Sequence, residues 1–239
     1  LFDNALKAIS ILEVKVRLCE VAQAPRPMAA KHLQVFARNG VKNMSGLSDP
    51  RAFGKEAFIQ IQAHALSYLQ GGFRVLMRVG ENGGQSVGTP LTFDILGGEV
   101  LKTTIKSLYD PSKEVLPSDV DKKSDADCVF DKIIKGQIPV KPIVNDGEVF
   151  VFTPSEKLAK EHILFIPLEH IRDISKVANP NFFGSLFLRI AEFAAKSEFR
   201  DGFILESNNG PYAGQMVQHL HVHMRGGEKL ESPFWQDWA

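Results

Sequence analysis

Cysteine is nearly missing from this chain of 239 residues, which carries only Cys19 and Cys128. Two thiols cannot make a disulfide framework, so the expected compartment is a reducing, cytoplasmic one, with the nucleus as a second location. Net charge is missing too, with 28 Lys and Arg facing 28 Asp and Glu. Such a balance gives no support for a nucleic-acid partner or a broad membrane surface, although a local basic pocket for a phosphate remains compatible with it. No apolar run approaches the length of a membrane span, and no membrane partner is expected. The chain opens Leu1-Phe2-Asp3-Asn4, without an initiator Met or a signal-peptide pattern, and reads as a trimmed start. What remains is the composition of an ordinary globular protein, 44% hydrophobic, long enough for one large domain or two compact ones.

Histidine is also scarce, seven residues in all, yet three of them are gathered in His219-Leu220-His221-Val222-His223. Side chains alternate between the faces of an extended strand, so the three imidazoles would stand in a row on one side while Leu220 and Val222 face a core. Imidazole is the side chain best suited to chemistry near neutral pH. The row is therefore where function should be sought. Two kinds of site compete for it: nucleophilic catalysis, and a divalent metal held by two of the histidines and a third ligand.

Landmarks recur along the chain. Phe130-Asp131-Lys132 through Gly136 echoes Phe2-Asp3-Asn4 through Ala8 at an offset of 128, and Lys160-Glu161-His162 echoes Ala30-Lys31-His32 at 130. Gly202-Phe203 matches Gly72-Phe73 and Gly214-Gln215 matches Gly84-Gln85, both at 130, whereas Gly226-Gly227-Glu228 matches Gly97-Gly98-Glu99 at 129. Several landmarks in one order with small indels read as an internal duplication. The expected organisation is a first domain over 1–101, a polar, proline-bearing linker over 102–127 and a second domain over 128–239.

In the second copy, Asp127 can cap a short helix from Cys128 to Lys135 that Gly136 ends. Val149 to Phe152, Ile163 to Ile166, Phe203 to Ser207 and Val217 to Met224 read as strands. Asn181 can cap a helix whose Phe183, Leu186, Phe187, Ile190 and Phe193 recur at three- and four-residue steps. Phe58, Ile61, Ala65 and Leu69 offer a matching helix in the first copy, with His64 a partly exposed helical residue. The expected fold class is α+β, an antiparallel sheet with helices in each copy.

The segments Cys128-Val-Phe-Asp-Lys-Ile-Ile-Lys-Gly-Gln-Ile-Pro139, His162-Ile-Leu-Phe-Ile-Pro167 and Gly214-Gln215 leading into His219–His223 together resemble the histidine-triad superfamily, and within it the nucleotide-binding branch. The resemblance covers residues 128 to about 230 and reaches residues 1 to 100 mainly through the repeat. It implies hydrolysis at the α-phosphate of a purine nucleotide conjugate, a phosphoramidate or a dinucleoside polyphosphate, through a histidine-nucleotidyl intermediate. By position His221 would be the nucleophile, His219 and His223 would orient it and donate to phosphate oxygens, and His162 would be an orienter behind them. Asn208, Gly214 and Gln215 would line the phosphate pocket. The family's ribose acid falls on Pro154, leaving Ser155 or a backbone group for that contact. Its leaving-group serine falls on Met216, which weighs against efficient phosphoramidate cleavage. Some relatives carry a Cys-x-x-Cys zinc pair where this chain has Cys128 and Asp131, so neither a metal nor another cofactor is expected. His170 reads as a structural loop histidine.

The first copy keeps His32 opposite His162 but reads Gly88-Thr89-Pro90-Leu91-Thr92-Phe93-Asp94 in the triad region, without a histidine, and has Arg78 at the place of Asn208. It would be a degenerate half. Because superfamily members pair as symmetric dimers across a continuous sheet, the two copies would form a pseudo-dimer within one monomeric chain. Transferases of the superfamily end the triad in glutamine, and His223 disfavours transfer. The competing reading is a nucleotide-binding adaptor with vestigial catalysis, in which the degenerate half provides a protein-interaction surface. The C-terminal segment Pro233–Trp238 reads separately as a packing element.

Overall fold

The computed structural model describes residues 12–19, 30–37, 40–68, 72–97 and 127–230. The Phe2–Ala8 echo, Leu69, the linker up to residue 126 and the C-terminal Pro233–Trp238 segment lie outside the described residues. Among the described residues nine strands form one antiparallel sheet: β1 (Leu12–Cys19), β2 (Ala30–Ala37), β3 (Phe73–Val79), β4 (Thr92–Gly97), β5 (Val144–Asn145), β6 (Val149–Phe152), β7 (Glu161–Pro167), β8 (Phe203–Asn209) and β9 (Val222–Gly226). Their order across the sheet is β1-β2-β4-β3-β8-β9-β7-β6-β5. The helices are α1 (Pro50–Tyr68), α2 (Val129–Ile134) and α3 (Asn181–Ala194). The fold is an α+β arrangement, an antiparallel sheet with few helices. No helix among the described residues is long and apolar enough to cross a membrane.

Strand alternation gives the sheet two unlike faces. Phe73, Val75, Met77 and Val79 on β3, with Phe203 and Leu205 on β8 and Val222 and Met224 on β9, point to one side and are buried in the main core. Helices α1 and α3 cover that side. The stripe expected for α3 is buried throughout, at Phe183, Leu186, Phe187, Ile190 and Phe193. Its cap differs from expectation: Asn181 is the first helical residue, and the side chain of Asn179 accepts its N–H at 3.0 Å. Phe58 stacks on Phe183 with ring centroids 5.0 Å apart, and Gly54 of α1 lies so close to α3 that a Cβ built there would sit 2.0 Å from Phe187 Cβ. The other face carries the intervening residues, among them Arg74, Glu206, Asn208 and His223, and α2 packs over its β6–β7 end.

The contacts on either side of the β3–β8 seam resemble one another. On β3 and β8, Phe73 pairs with Asn209 and Val79 with Phe203, so the register repeats about a two-fold axis through the Leu76–Glu206 pair. Gly80 N–H donates to Gln85 Oε1 at 2.8 Å while Gln85 Nε2 donates to Lys42 O at 2.9 Å. At the corresponding positions Gly210 N–H donates to Gln215 Oε1 at 2.8 Å, and Gln215 Nε2 donates to Arg172 O at 2.6 Å. Gly72 and Gly202 take φ of 135° and 128°, where a side chain is disfavoured, and a Cβ on either would strike the backbone oxygen of Asn209 or Val79 across the seam. Close approach of the two halves thus requires glycine at both positions.

Two expectations shift at the ends of elements. The short helix runs Val129–Ile134 with Cys128 at its N-cap and no side-chain capping bond, and Asp127 pairs instead with Lys132. Gly136, at φ 70°, lies just beyond its end as expected. The last strand begins only at Val222, because Leu220 N–H is taken by Ile171 O at 2.6 Å and the chain from 217 to 221 follows the loop that Gln215 braces.

Candidate histidine site

His162 on β7, His223 on β9 and His221 just before β9 come together on the polar face. Leu158 N–H donates to His162 Nδ1 at 3.1 Å. A backbone N–H can only donate, so a neutral His162 carries its proton on Nε2, which lies 2.9 Å from His223 Nδ1. His223 must then accept on Nδ1 and carry its own proton on Nε2. His221 Nδ1 lies 2.7 Å from the carbonyl oxygen of His219, an acceptor only, so this nitrogen bears the proton. The lone pair of His221 is left on Nε2. The His221 and His223 rings are 5.1 Å apart, and Phe130 of α2 sets its edge against His221 at 5.4 Å.

Burial favours the neutral forms of these rings. His221 is held below its ordinary value chiefly by burial, and His223 well below it by burial and then by His221, His162 and Arg225. His162 is lowered to about 4, by burial first and the Arg225 cation second. Between about 6.5 and 4 an unfolded His162 takes up a proton that the folded chain refuses. Its contribution to stability is therefore complete above pH 6.5 and is lost as pH falls through that window. We expect the denaturant midpoint to decline from pH 7 to 4.5, and to decline less steeply in His162→Gln, whose amide can accept and donate at the same places. Parallel pH curves for the two proteins would contradict the assignment.

His219 departs from its expected role. Its ring is fully buried, with Nε2 2.9 Å from Pro167 O, while Nδ1 lies 3.2 Å from Asp131 Oδ1 and 3.6 Å from Cys128 Sγ. Neither nitrogen is left to donate to a phosphate, and the expectation of a phosphate donor at His219 is corrected. His170 Nδ1 joins the same group, 3.0 Å from Asp131 Oδ2. Cys128, Asp131, His170 and His219 thus each bring one ligand atom within 4.8 Å of the others. The reading of this chain as lacking a metal site rested on Asp131 replacing a second cysteine, and the geometry does not support that reasoning. With Nε2–H committed to Pro167, a neutral His219 presents a lone pair to the Asp131 oxygen, two acceptors in contact that a cation between them reconciles. The His219–Asp131, His170–Asp131 and His219–Cys128 separations, 3.2, 3.0 and 3.6 Å, approach the roughly 3.3–3.8 Å edges of a tetrahedron with zinc bond lengths. The sequence signal was Cys-x-x-Asp in place of Cys-x-x-Cys, with His170 after Ile166-Pro167.

The remaining candidates divide. Asn208 ends the polar row of β8. The Glu206–His223 pairing, continued by two residues, places it opposite His221. Gln215 is buried with both ends of its amide spent on the loop, on Gly210 N, Arg172 O and Val217 O, so its side chain braces that loop. Gly214 supplies the left-handed turn of that loop, at φ 74°. Ser155 is exposed on the β6–β7 loop that also carries Leu158, and Met216 is 55% exposed. In the first half, Asp94 pairs in register with Gln34 and is bonded by its side chain at 2.8 Å, where His223 pairs with Leu164.

The chain matches the HIT domain over residues 135–230. Protein HitA of Neisseria gonorrhoeae is 35% identical over 101 residues, 41% of this chain and 94% of its own length. The 14 kDa zinc-binding protein of Zea mays is 35% identical over 114 residues, 46% of this chain and 88% of its own. A solved uridylyltransferase structure, only 13% identical, superposes with a TM-score of 0.67 over 93% of this chain and 76% of its own, a likeness of fold alone that extends across both halves. Relatives of such identity, covered almost end to end, together with a domain match over the segment that holds His162 and the histidine row, mean that the chain belongs to the HIT family.

Proposed function

We propose that this protein is a nucleotidyl hydrolase acting at the α-phosphate of a purine nucleotide conjugate. The observation that carries the reading is the fixed tautomer of His221: its Nδ1–H is held by the His219 carbonyl, so Nε2 faces the reaction with its lone pair. Nε2 attacks phosphorus, a P–N bond forms, and the bond to the leaving group breaks. Water then attacks the phosphoramidate and returns the imidazole. His162 and His223 pass one donor forward to Nε2–H of His223, suited to a phosphate oxygen, and the Asn208 amide supplies a second. Phe130, Ile133 and Ile138 lie in an apolar cluster flanking the histidines and suit a base. An amine leaving group needs a proton that the thioether of Met216 cannot give. A phosphate leaving group departs as an anion, and dinucleoside polyphosphates are the favoured substrates.

Cys128, Asp131, His170 and His219 fit a zinc ion with four protein ligands. Bound there, zinc would have no open position and would serve to lock the start of α2 to the approach of β9. The first half is read as a degenerate copy joined to the second as an internal pseudo-dimer, and the chain as a monomer. Support comes from the repeated glutamine braces and the two-fold register of β3 with β8. Met216 and the absence of a histidine from residues 88–94 favour the second reading, a nucleotide-binding adaptor.

The deciding experiment follows AMP release from diadenosine polyphosphates and from adenosine phosphoramidate. Release from the polyphosphates, faster than from the phosphoramidate, is expected. Binding of AMP without release from either would overturn the hydrolase in favour of the adaptor.

A further inference from the structure

Arg74 belongs to β3, in the half without a histidine row, yet its side chain is spent on the other half. It is only 6% exposed. Its Nε–H donates to Asn208 Oδ1 at 2.7 Å, and its Nη2 donates to Ala213 O at 3.3 Å, in the turn that leads to Gly214 and Gln215. Glu206 Oε1 lies 3.4 Å from the same Nε, while Glu206 Oε2 accepts from Arg225 Nη2 at 2.6 Å. A guanidinium has donors and no acceptor, so the oxygen of the Asn208 amide must face Arg74 and the Nδ2 group must face away. Among the described residues nothing else engages that Nδ2. Asn208 and Arg74 are direct partners in the β3–β8 register and share the sheet face of His223.

We infer that Arg74 is a positioning residue for the phosphate site: it fixes the Asn208 amide with its N–H donors toward the nucleotide, and it anchors the turn at Ala213. The single histidine site is therefore completed by the opposite half of the chain. This half lacks a nucleophile of its own and supplies orientation instead. A lysine in the same place could neutralise Glu206 but has no fork with which to hold Asn208 and Ala213 together. Nor would the counterpart from the other copy serve, since the residue related to Arg74 by the two-fold axis is Ile204. The arrangement is one-sided and serves one site.

The inference rests on the hydrolase reading, and a double-mutant cycle tests it. In Arg74→Met, Glu206 keeps Arg225 as its partner, so a folded protein is expected, to be verified by circular dichroism and melting. The kcat for AMP release should fall about ten- to a hundredfold with KM little changed, because a misplaced donor is felt mostly as charge develops on the phosphate. Asn208→Ala should lose at least as much, and the double variant no more than Asn208→Ala alone. Arg74→Lys should recover part of the loss, and it replaces Arg74→Met in the cycle if the methionine variant does not fold. Losses that multiply in the double variant, or an Arg74 variant with wild-type kcat, would overturn the inference while leaving the hydrolase intact. A wild-type protein that neither binds AMP nor releases it would remove the phosphate site itself, and both readings with it.

Discussion

In His221→Ala, AMP release from diadenosine polyphosphates is expected to fall by at least about ten thousandfold, with AMP still bound. The size of the effect follows from what the other groups can do alone. His223 and Asn208 can hold a phosphate and His162 can keep His223 in its tautomer, but none of them presents a free lone pair. His162 gives Nδ1 to Leu158 and Nε2–H to His223, and His219 has both nitrogens engaged at Pro167 and Asp131. With the methyl of alanine in place, direct attack by water is the only route, and the covalent step is lost. Trapping the intermediate gives a second measurement: brief reaction with labelled substrate should leave label on the wild type and none on His221→Ala. Label retained on the variant would transfer the nucleophile to another residue.

Gly54→Ala is expected to destabilise the fold strongly. A Cβ at position 54 would lie 2.0 Å from Phe187 Cβ and 2.5 Å from Phe187 Cγ, at the crossing of α1 and α3. The obstacle is the root of the Phe187 side chain, so no rotamer change can clear it and the helices themselves must separate. Overpacking of this kind costs about 3 kcal/mol or more. For a chain of this size that is a fall in melting temperature of about 6–12 °C. Truncation to Phe187→Ala leaves the colliding Cβ in place and should not rescue Gly54→Ala. A smaller loss is expected for Gly184→Ala, where the approach to Arg51 Cγ is 2.9 Å. A melting temperature for Gly54→Ala within a degree or two of wild type would mean that the two helices are not so closely seated.

Much of the architecture is legible in the sequence. Val149–Phe152 is a strand at the residues expected, the apolar stripe of α3 faces the core, and His64 is partly buried on α1. Those features depend on residues near each other in the chain, where a period of two or 3.6 reads directly as a face. The site was legible as a list of histidines and much less as a geometry. His219, grouped with His221 by spacing, turns to Asp131, 88 positions away in the sequence, because the strand has not yet begun there. Gln215 has the right position for a pocket residue but spends its amide on a loop brace. Asp131 weakened the zinc signal in the sequence, although a carboxylate can take a thiolate's place among metal donors.

The amino-acid order by itself determined the alternating strands, the helix faces, the recurring landmarks and the gathering of three histidines in five residues. Tertiary structure alone decided which nitrogen of His162, His219, His221 and His223 carries its proton, which histidine leaves the row, and that Arg74 meets Asn208 across the central strand pair. The physical reason is common to all of these. A tautomer is set by whichever donor or acceptor the fold brings to the ring. A guanidinium orients an amide only when two strands, 134 residues apart along the chain at that point, are laid side by side in one register.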